Sequence, residues 1–228
     1  MRALCRFTTL LPIIVSFLSV ASNAQTPRAA SKNLPPISAE MVGASGIFEG
    51  KLYTNGVLGF SVLVPGGWNI FTAEQNSAAL AAGQKNTLSN AWRVDENERK
   101  DLNRSMANTQ ILFQATSRTT QGEELSRISC GVERLTEPID IEKYVERNQR
   151  LVLLTSPTKL AKNAYSTKLG GVAFNGFDVE GAVDGKIFTQ RYLVTIRKGY
   201  ALFVITTLWG NINDSVLDAS LKTLKFNK

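Results

Sequence analysis

No histidine occurs in this sequence, and only two cysteines do. The missing histidine excludes Ser-His-Asp and Cys-His catalytic arrangements. It also removes the usual general base near neutral pH and the commonest zinc ligand, which one cysteine cannot replace. No catalytic, cofactor-binding or metal-ligating residue is assigned on sequence grounds, and no cofactor is expected. Cysteine is too scarce for a staple: once Cys5 is set aside with the leader described below, Cys130 stands alone and has no partner for a disulfide. The fold is therefore expected to rest on its core. Long apolar runs are scarce as well. Leu10 to Val20 (LLPIIVSFLSV) is one, and it is short of the roughly 20 residues a membrane span needs.

That run has the setting of an export signal. Arg2 and Arg6 precede it, and Ser22-Asn23-Ala24 follows with small residues at the positions a signal peptidase reads. Cleavage is expected after Ala24, leaving Gln25 to Lys228 as a periplasmic or secreted product. Arg2 and Arg6 leave with no acid, so the formal charge falls from +7 by two, to +5. The basic residues are scattered and no run is purely basic. Nucleic acid is therefore not an expected partner, whereas an anionic membrane surface or cell-wall polymer stays open.

Residues 25–45 are rich in Ala, Ser and Pro and show no helical or alternating pattern, so they read as a flexible lead-in. One domain is expected over 46–228. Tyr53 to Trp68 (YTNGVLGFSVLVPGGW) reads as strand, Asn-Gly turn, strand and a proline-led turn. Residues 74–106 read as a helical insert with a break at Gly83; Leu88, Ala91, Trp92, Leu102 and Met106 supply its partial helical periodicity. Within it, residues 93–104 (RVDENERKDLNR) mix both charge signs, as a solvated helix face laced with i,i+4 pairs does. The sharper alternative is a partner surface formed by Arg93, Glu96, Arg99, Lys100 and Arg104.

Strands are expected over Thr109 to Ser117 and Arg127 to Leu135, joined by a turn at residues 121–124. In the second, Ile128, Cys130 and Val132 alternate with Arg127, Ser129 and Glu133, which puts the thiol inside and the polar set outside. Asp140 can cap the clearest helix, with Ile141, Tyr144, Val145, Asn148, Leu151 and Val152 inward and Arg147 among the outer residues. Hairpins follow. Asn163 to Leu169, Val172 to Val183, Lys186 to Arg197 and Tyr200 to Trp209 are separated by Gly170-Gly171, Asp184-Gly185 and Lys198-Gly199. The last of these strands (YALFVITTLW) is apolar on both faces, so it is central and covered by helices on both sides. A final helix spans Asn213 to Leu224, with Val216, Leu217, Leu221 and Leu224 inward. The class is α+β: an α/β/α sandwich around a mainly antiparallel sheet.

Tyr53, Asn55, Gly59, Phe60, Pro65 and Trp68, in the order Y-x-N-x-x-x-G-F-S-x-x-x-P-x-x-W, resemble the opening of PsbP-like domains. The end is similar too: Gly199-Tyr200 before an apolar strand, then Ser220-Leu221-Lys222 and Leu224-Lys225-Phe226. The superfamily includes the photosystem II extrinsic protein and a fungal Ran-binding nuclear import factor. The resemblance implies the α/β/α sandwich. It carries over no manganese- or calcium-site residue, and nothing argues for photosynthesis. The expectation is an exported, non-enzymatic binding or accessory protein. The alternatives kept open are a binder of anionic envelope surfaces and a carboxylate-based hydrolase, with Asp178, Glu180 and Asp184 as its acids.

Overall fold

The computed structural model describes residues 38–90, 94–118, 124–210 and 215–227. The leader, Arg93, Ala91, Trp92 and the core of the turn expected at 121–124 lie outside them. The chain opens with α1 (Ala39–Ala44), β1 (Gly46–Glu49), β2 (Leu52–Asn55), β3 (Phe60–Leu63) and β4 (Asn69–Ile70). Two helices follow, α2 (Ala73–Asn90) and α3 (Glu96–Ala107), then β5 (Thr109–Arg118), β6 (Glu124–Arg134) and α4 (Ile141–Thr155). A meander comes next: β7 (Thr158–Leu169), β8 (Val172–Val183), β9 (Lys186–Arg197) and β10 (Tyr200–Trp209). The described chain closes with α5 (Ser215–Lys222) and β11 (Lys225–Phe226).

The fold is α+β and the strand pairs are antiparallel. The meander shows why. Its turns, Gly170-Gly171, Asp184-Gly185 and Lys198-Gly199, place both central residues at positive φ (57°/81°, 50°/76° and 51°/81°). Two-residue hairpins need that geometry, because it matches the twist of the strands they join.

The strands form two sheets rather than one. The larger has the order β4-β5-β6-β10-β9-β8-β7, and the smaller β1-β2-β3-β11. β10 is central, as its two apolar faces demand. Tyr200, Leu202 and Val204 face a core shared with Tyr53, Phe60, Leu217 and Leu221 of the small sheet and α5. Ala201, Phe203 and Ile205 face the other way, onto Tyr144, Val145 and Val152 of α4. Helices were expected on both sides; one side is instead covered mainly by the second sheet, with α1 and α5 at its margins.

Several expectations need correction. Packed structure begins before Gly46: α1 falls within the stretch read as lead-in, capped by Ser38 and with Val42 fully buried. The Asn55-Gly56 pair is not a two-residue turn. Asn55 is buried, donates from Nδ2 to the Val42 carbonyl (2.8 Å) and accepts from the Leu58 N–H (2.9 Å) and Ser45 hydroxyl (3.0 Å). Its amide brackets α1 to the small sheet, and the positive φ falls at Gly59 (66°). Gly83 does not break α2, which runs through it, and it lies on the buried side of the helix. Asp140 occupies the cap of α4 but makes no capping hydrogen bond, its carboxylate lying 3.6 Å from Lys143 instead. Val216 is exposed, one position off the Leu217, Leu221 and Leu224 stripe. Leu88 faces outward too, while Leu102 and Met106 pack with Leu151 and Val94.

Candidate functional site

β6 was expected to turn Arg127, Ser129 and Glu133 to solvent. All three are buried, because the helical layer covers that face. That covered face carries a polar row. Across four adjacent strands the register runs Thr116 (β5), Arg127 (β6), Thr207 (β10) and Gln190 (β9), and the next rung pairs Gln114 with Ser129. Each of these side chains is buried. At one end the row is satisfied: Tyr192 donates to Gln190 Oε1 (2.7 Å) and Gln190 Nε2 donates to Thr207 (3.1 Å). The Arg127 guanidinium lies 5.5 Å over the Phe71 ring. At the β5 end, Gln114 Oε1 and Nε2 and Thr116 Oγ1 have no hydrogen-bond partner, nor does Asn76 Oδ1 in the first turn of α2. Buried polar groups are nearly always paired, so unfilled atoms on neighbouring rungs of β5, and on the helix that packs against it, call for an explanation.

Sequence pattern alone identified none of these residues. Their signal was the polar spacing in β5 and β6, which a half-exposed strand produces equally well.

Farther along the same face, Tyr144 donates to the buried Glu133 carboxylate (2.8 Å), and the Arg147 guanidinium lies 5.7 Å over the Tyr144 ring. Arg147 is therefore half-buried against the sheet, not on the outer face of α4. Burial lowers its pKa against the opposing pull of Glu133, and burial first, then the Glu133 charge, raises that of Tyr144.

The sequence-selected acids lie on the opposite face. Asp178 and Glu180 share one face of β8, as two-residue spacing requires. Asp178 accepts from the Tyr165 hydroxyl (2.7 Å) and lies 3.6 Å from Arg191 Nε, whose Nη1 reaches Asp218 of α5 at 2.9 Å. Glu180 pairs with Lys159 at 2.6 Å. Asp184 sits apart, in the β8–β9 turn. Asp178 thus ties β7 to β9, and Arg191 carries the link on to α5. The Asp178→Asn variant keeps the shape and loses the charge, and is expected to cost about 1–2 kcal/mol. Its calorimetric unfolding midpoint should fall by about 4 °C, and an unchanged midpoint would remove the structural assignment.

The charged helix α3 is built from local pairs. A capping box joins Asp95 and Glu98. Glu96 pairs with Lys100 (2.9 Å), Asp101 with Arg104 (3.6 Å), and Glu98 with Arg150 of α4. Arg99 is exposed on the same helix, and Arg93 lies outside the described residues. Cys130 is sealed in the core, where burial raises its pKa. Among the described residues no cluster of three or more cysteine and carboxylate side chains is disposed to hold a metal ion.

No family model and no curated protein matches this chain. Some solved structures are partly similar. A protein from Bacteroides thetaiotaomicron shares 13% identity at a TM-score of 0.41, over 75% of this chain and 46% of its own. The chain thus spans about half the length of that protein. LpqN of Mycobacterium tuberculosis, described as involved in cell envelope biogenesis, shares 12% identity at a TM-score of 0.41, over 53% of this chain and 79% of its own. PA94 of Pseudomonas aeruginosa, a protein of unknown function, shares 16% identity at a TM-score of 0.35, over 44% of this chain and 67% of its own. Nothing about a ligand of this chain follows from likenesses so slight.

Proposed function

We propose that this chain is an exported, PsbP-like binding or accessory module and not an enzyme. The observation that carries the reading is a contrast in how its polar groups are used. The groups with chemical potency are committed to structure: Asp178 to Tyr165 and Arg191, Glu180 to Lys159, Glu133 to Tyr144. The Cys130 thiol is shut in the core. Among the groups left with hydrogen-bonding capacity are the amides and hydroxyl of Asn76, Gln114 and Thr116, beside Ser105, Asn148 and guanidinium nitrogens of Arg147 and Arg197. Such groups recognise ligands, and they do not move protons near neutral pH. No described helix is long and apolar enough to cross a membrane.

Expression of the full sequence in a Gram-negative host, followed by osmotic shock, tests this. The shock fluid is expected to contain a product whose intact mass is that of Gln25 to Lys228. Retention of the uncleaved chain in the cytoplasm or membrane would count against export. Turnover of nitrophenyl esters, glycosides or phosphates that vanishes in Asp178→Asn and Glu180→Gln would replace the binding reading with the hydrolase.

A further inference from the structure

α2 and α4 lie on the same face of the large sheet, held there by different chemistry. α4 inserts Tyr144, Val145 and Val152 into the core. α2 turns Asn76, Ala79, Gly83 and Thr87 inward, at helical spacings of three, four and four residues, and none of them is a large apolar side chain. Its Leu80 is only partly buried and its Leu88 is 36% exposed. Apolar burial is what fastens a helix to a sheet, and α2 has little of it. It packs against β5, where Gln114 Oε1 and Nε2 and Thr116 Oγ1, like its own Asn76 Oδ1, are among the buried atoms with no hydrogen-bond partner. Each regains a hydrogen bond when the helix lifts, because an unmade buried bond costs more than a solvated one. Gln84 Nε2 holds the second half of α2 to the Met106 carbonyl at 2.8 Å, and just ahead of the helix the Phe71 N–H donates to the Gln114 carbonyl at 2.9 Å, so the helix lifts between two tethers.

We propose that α2 is a movable cover over a binding site floored by β5 and β6, and that the ligand is a small neutral polyhydroxylated molecule, a saccharide unit. The choice of class follows from the unfilled atoms. Gln114 offers both an NH2 donor and a carbonyl acceptor, and exchanging its two amide atoms changes nothing because both are unpaired. Thr116 can donate or accept, and Asn76 Oδ1 accepts. A carboxylate or phosphate, though drawn by the Arg127 guanidinium, would meet the carbonyl oxygens of Gln114 and Asn76, and a cation would meet Arg127. Hydroxyl groups satisfy all of them, since each donates one bond and accepts others. The Phe71 ring, which has the Arg127 guanidinium 5.5 Å over one face, leaves its other face as a flat apolar surface of the kind a sugar's C–H face packs on. This inference rests on the binding-module reading and gives it a site and a ligand class.

Hydrogen–deuterium exchange of the mature protein is the test. It would be run alone and with glucose, N-acetylglucosamine or trehalose at about 10 mM, enough to fill a site of millimolar Kd, with citrate and spermidine as charged counterparts. α2 amides are expected to exchange at least about tenfold faster than those of α4, and a saccharide should slow them. In the Gln114→Leu/Thr116→Val double variant, α2 should be protected without ligand and the saccharide effect should vanish. An α2 as protected as α4, or saccharide protection that survives in the double variant, overturns the site. Protection by citrate or spermidine in place of a saccharide, or a fast α2 that no probe slows, overturns the ligand class. In each case the binding-module reading survives, since it falls instead to the turnover and fractionation results above.

Discussion

Raising the pH from 9 to 11 is expected to unfold this protein in one cooperative step. Tyr53, Tyr144 and Tyr192 are at most 1% exposed, and Cys130 is equally buried. Burial raises the pKa of all four well above their ordinary values, near 10 for the tyrosines and 9 for the thiol. A group whose folded pKa is raised contributes stability that is fully present below its unfolded pKa and lost as pH climbs above it. Here the unfolded chain releases protons from about pH 9 upward while the folded chain keeps them, so the unfolding free energy falls with pH. Each group costs about 1.4 kcal/mol per pH unit beyond its unfolded pKa. By pH 11 the four together remove about 7 kcal/mol, comparable with the entire stability of a typical domain, about 5–15 kcal/mol. Far-UV circular dichroism and tyrosinate absorbance, followed together, should change at the same pH. Tyr192→Phe should make the transition shallower by one proton. A fold that persists past pH 12 while tyrosines titrate one by one near pH 10 would refute the argument.

The late meander was legible because its sequence is consistent at every level. Val172–Val183, Lys186–Arg197 and Tyr200–Trp209 have the bounds that alternation and turn residues set, since glycine at positive φ allows one geometry and the register follows from it. The division into two sheets was not legible. Local pattern says that β1 to β3 are strands but not which sheet they join, and β11 is only two residues long. Both insert helices carry a start signal in the sequence. Thr72 and Gln75 exchange hydrogen bonds between side chain and backbone (3.2 and 2.8 Å), as do Asp95 and Glu98. Each pair follows the spacing of a capping box. α1 was missed because it is six residues long and owes its place to Asn55, ten or more positions away.

The candidate site was illegible for a physical reason. Asp178 and Glu180 drew attention as acids, yet acids on a sheet face more often knit strands than do chemistry, and here each has a basic partner. Gln114, Thr116 and Asn76 are neutral and unremarkable in type. They matter only because a helix poor in apolar contacts covers them, and alternation cannot reveal whether the polar face of a strand meets water or another layer.

Gly131→Ala is expected to cost about 2–3 kcal/mol, far more than a methyl group usually does in a strand. Gly131 of β6 and Phe203 of β10 are cross-strand partners, and the fully buried ring lies over the glycine. A Cβ at position 131 would stand 2.3 Å from Phe203 Cζ and 2.8 Å from the Gln110 carbonyl oxygen. The ring cannot swing aside, because its face of the sheet is packed with α4. Phe203→Ala, which empties that space, should cost about 3–5 kcal/mol. Phe203→Leu removes the ring atoms nearest the new methyl, so in the Gly131→Ala/Phe203→Leu double variant the two costs should not add. A favourable coupling of about 1 kcal/mol is expected from urea unfolding of the single and double variants. It is not larger, because the Gln110 carbonyl stays in place. Strict additivity would mean that the backbone contact, and not the ring, dictates glycine. The outcome also bears on the proposed site: Gly131 lies two residues from Ser129 on the same face of β6, so the Phe203 ring separates the polar row from the Glu133–Tyr144 pair. If the ring holds that boundary, Phe203→Leu should loosen α4 before it disturbs α2, an order that hydrogen exchange can read directly.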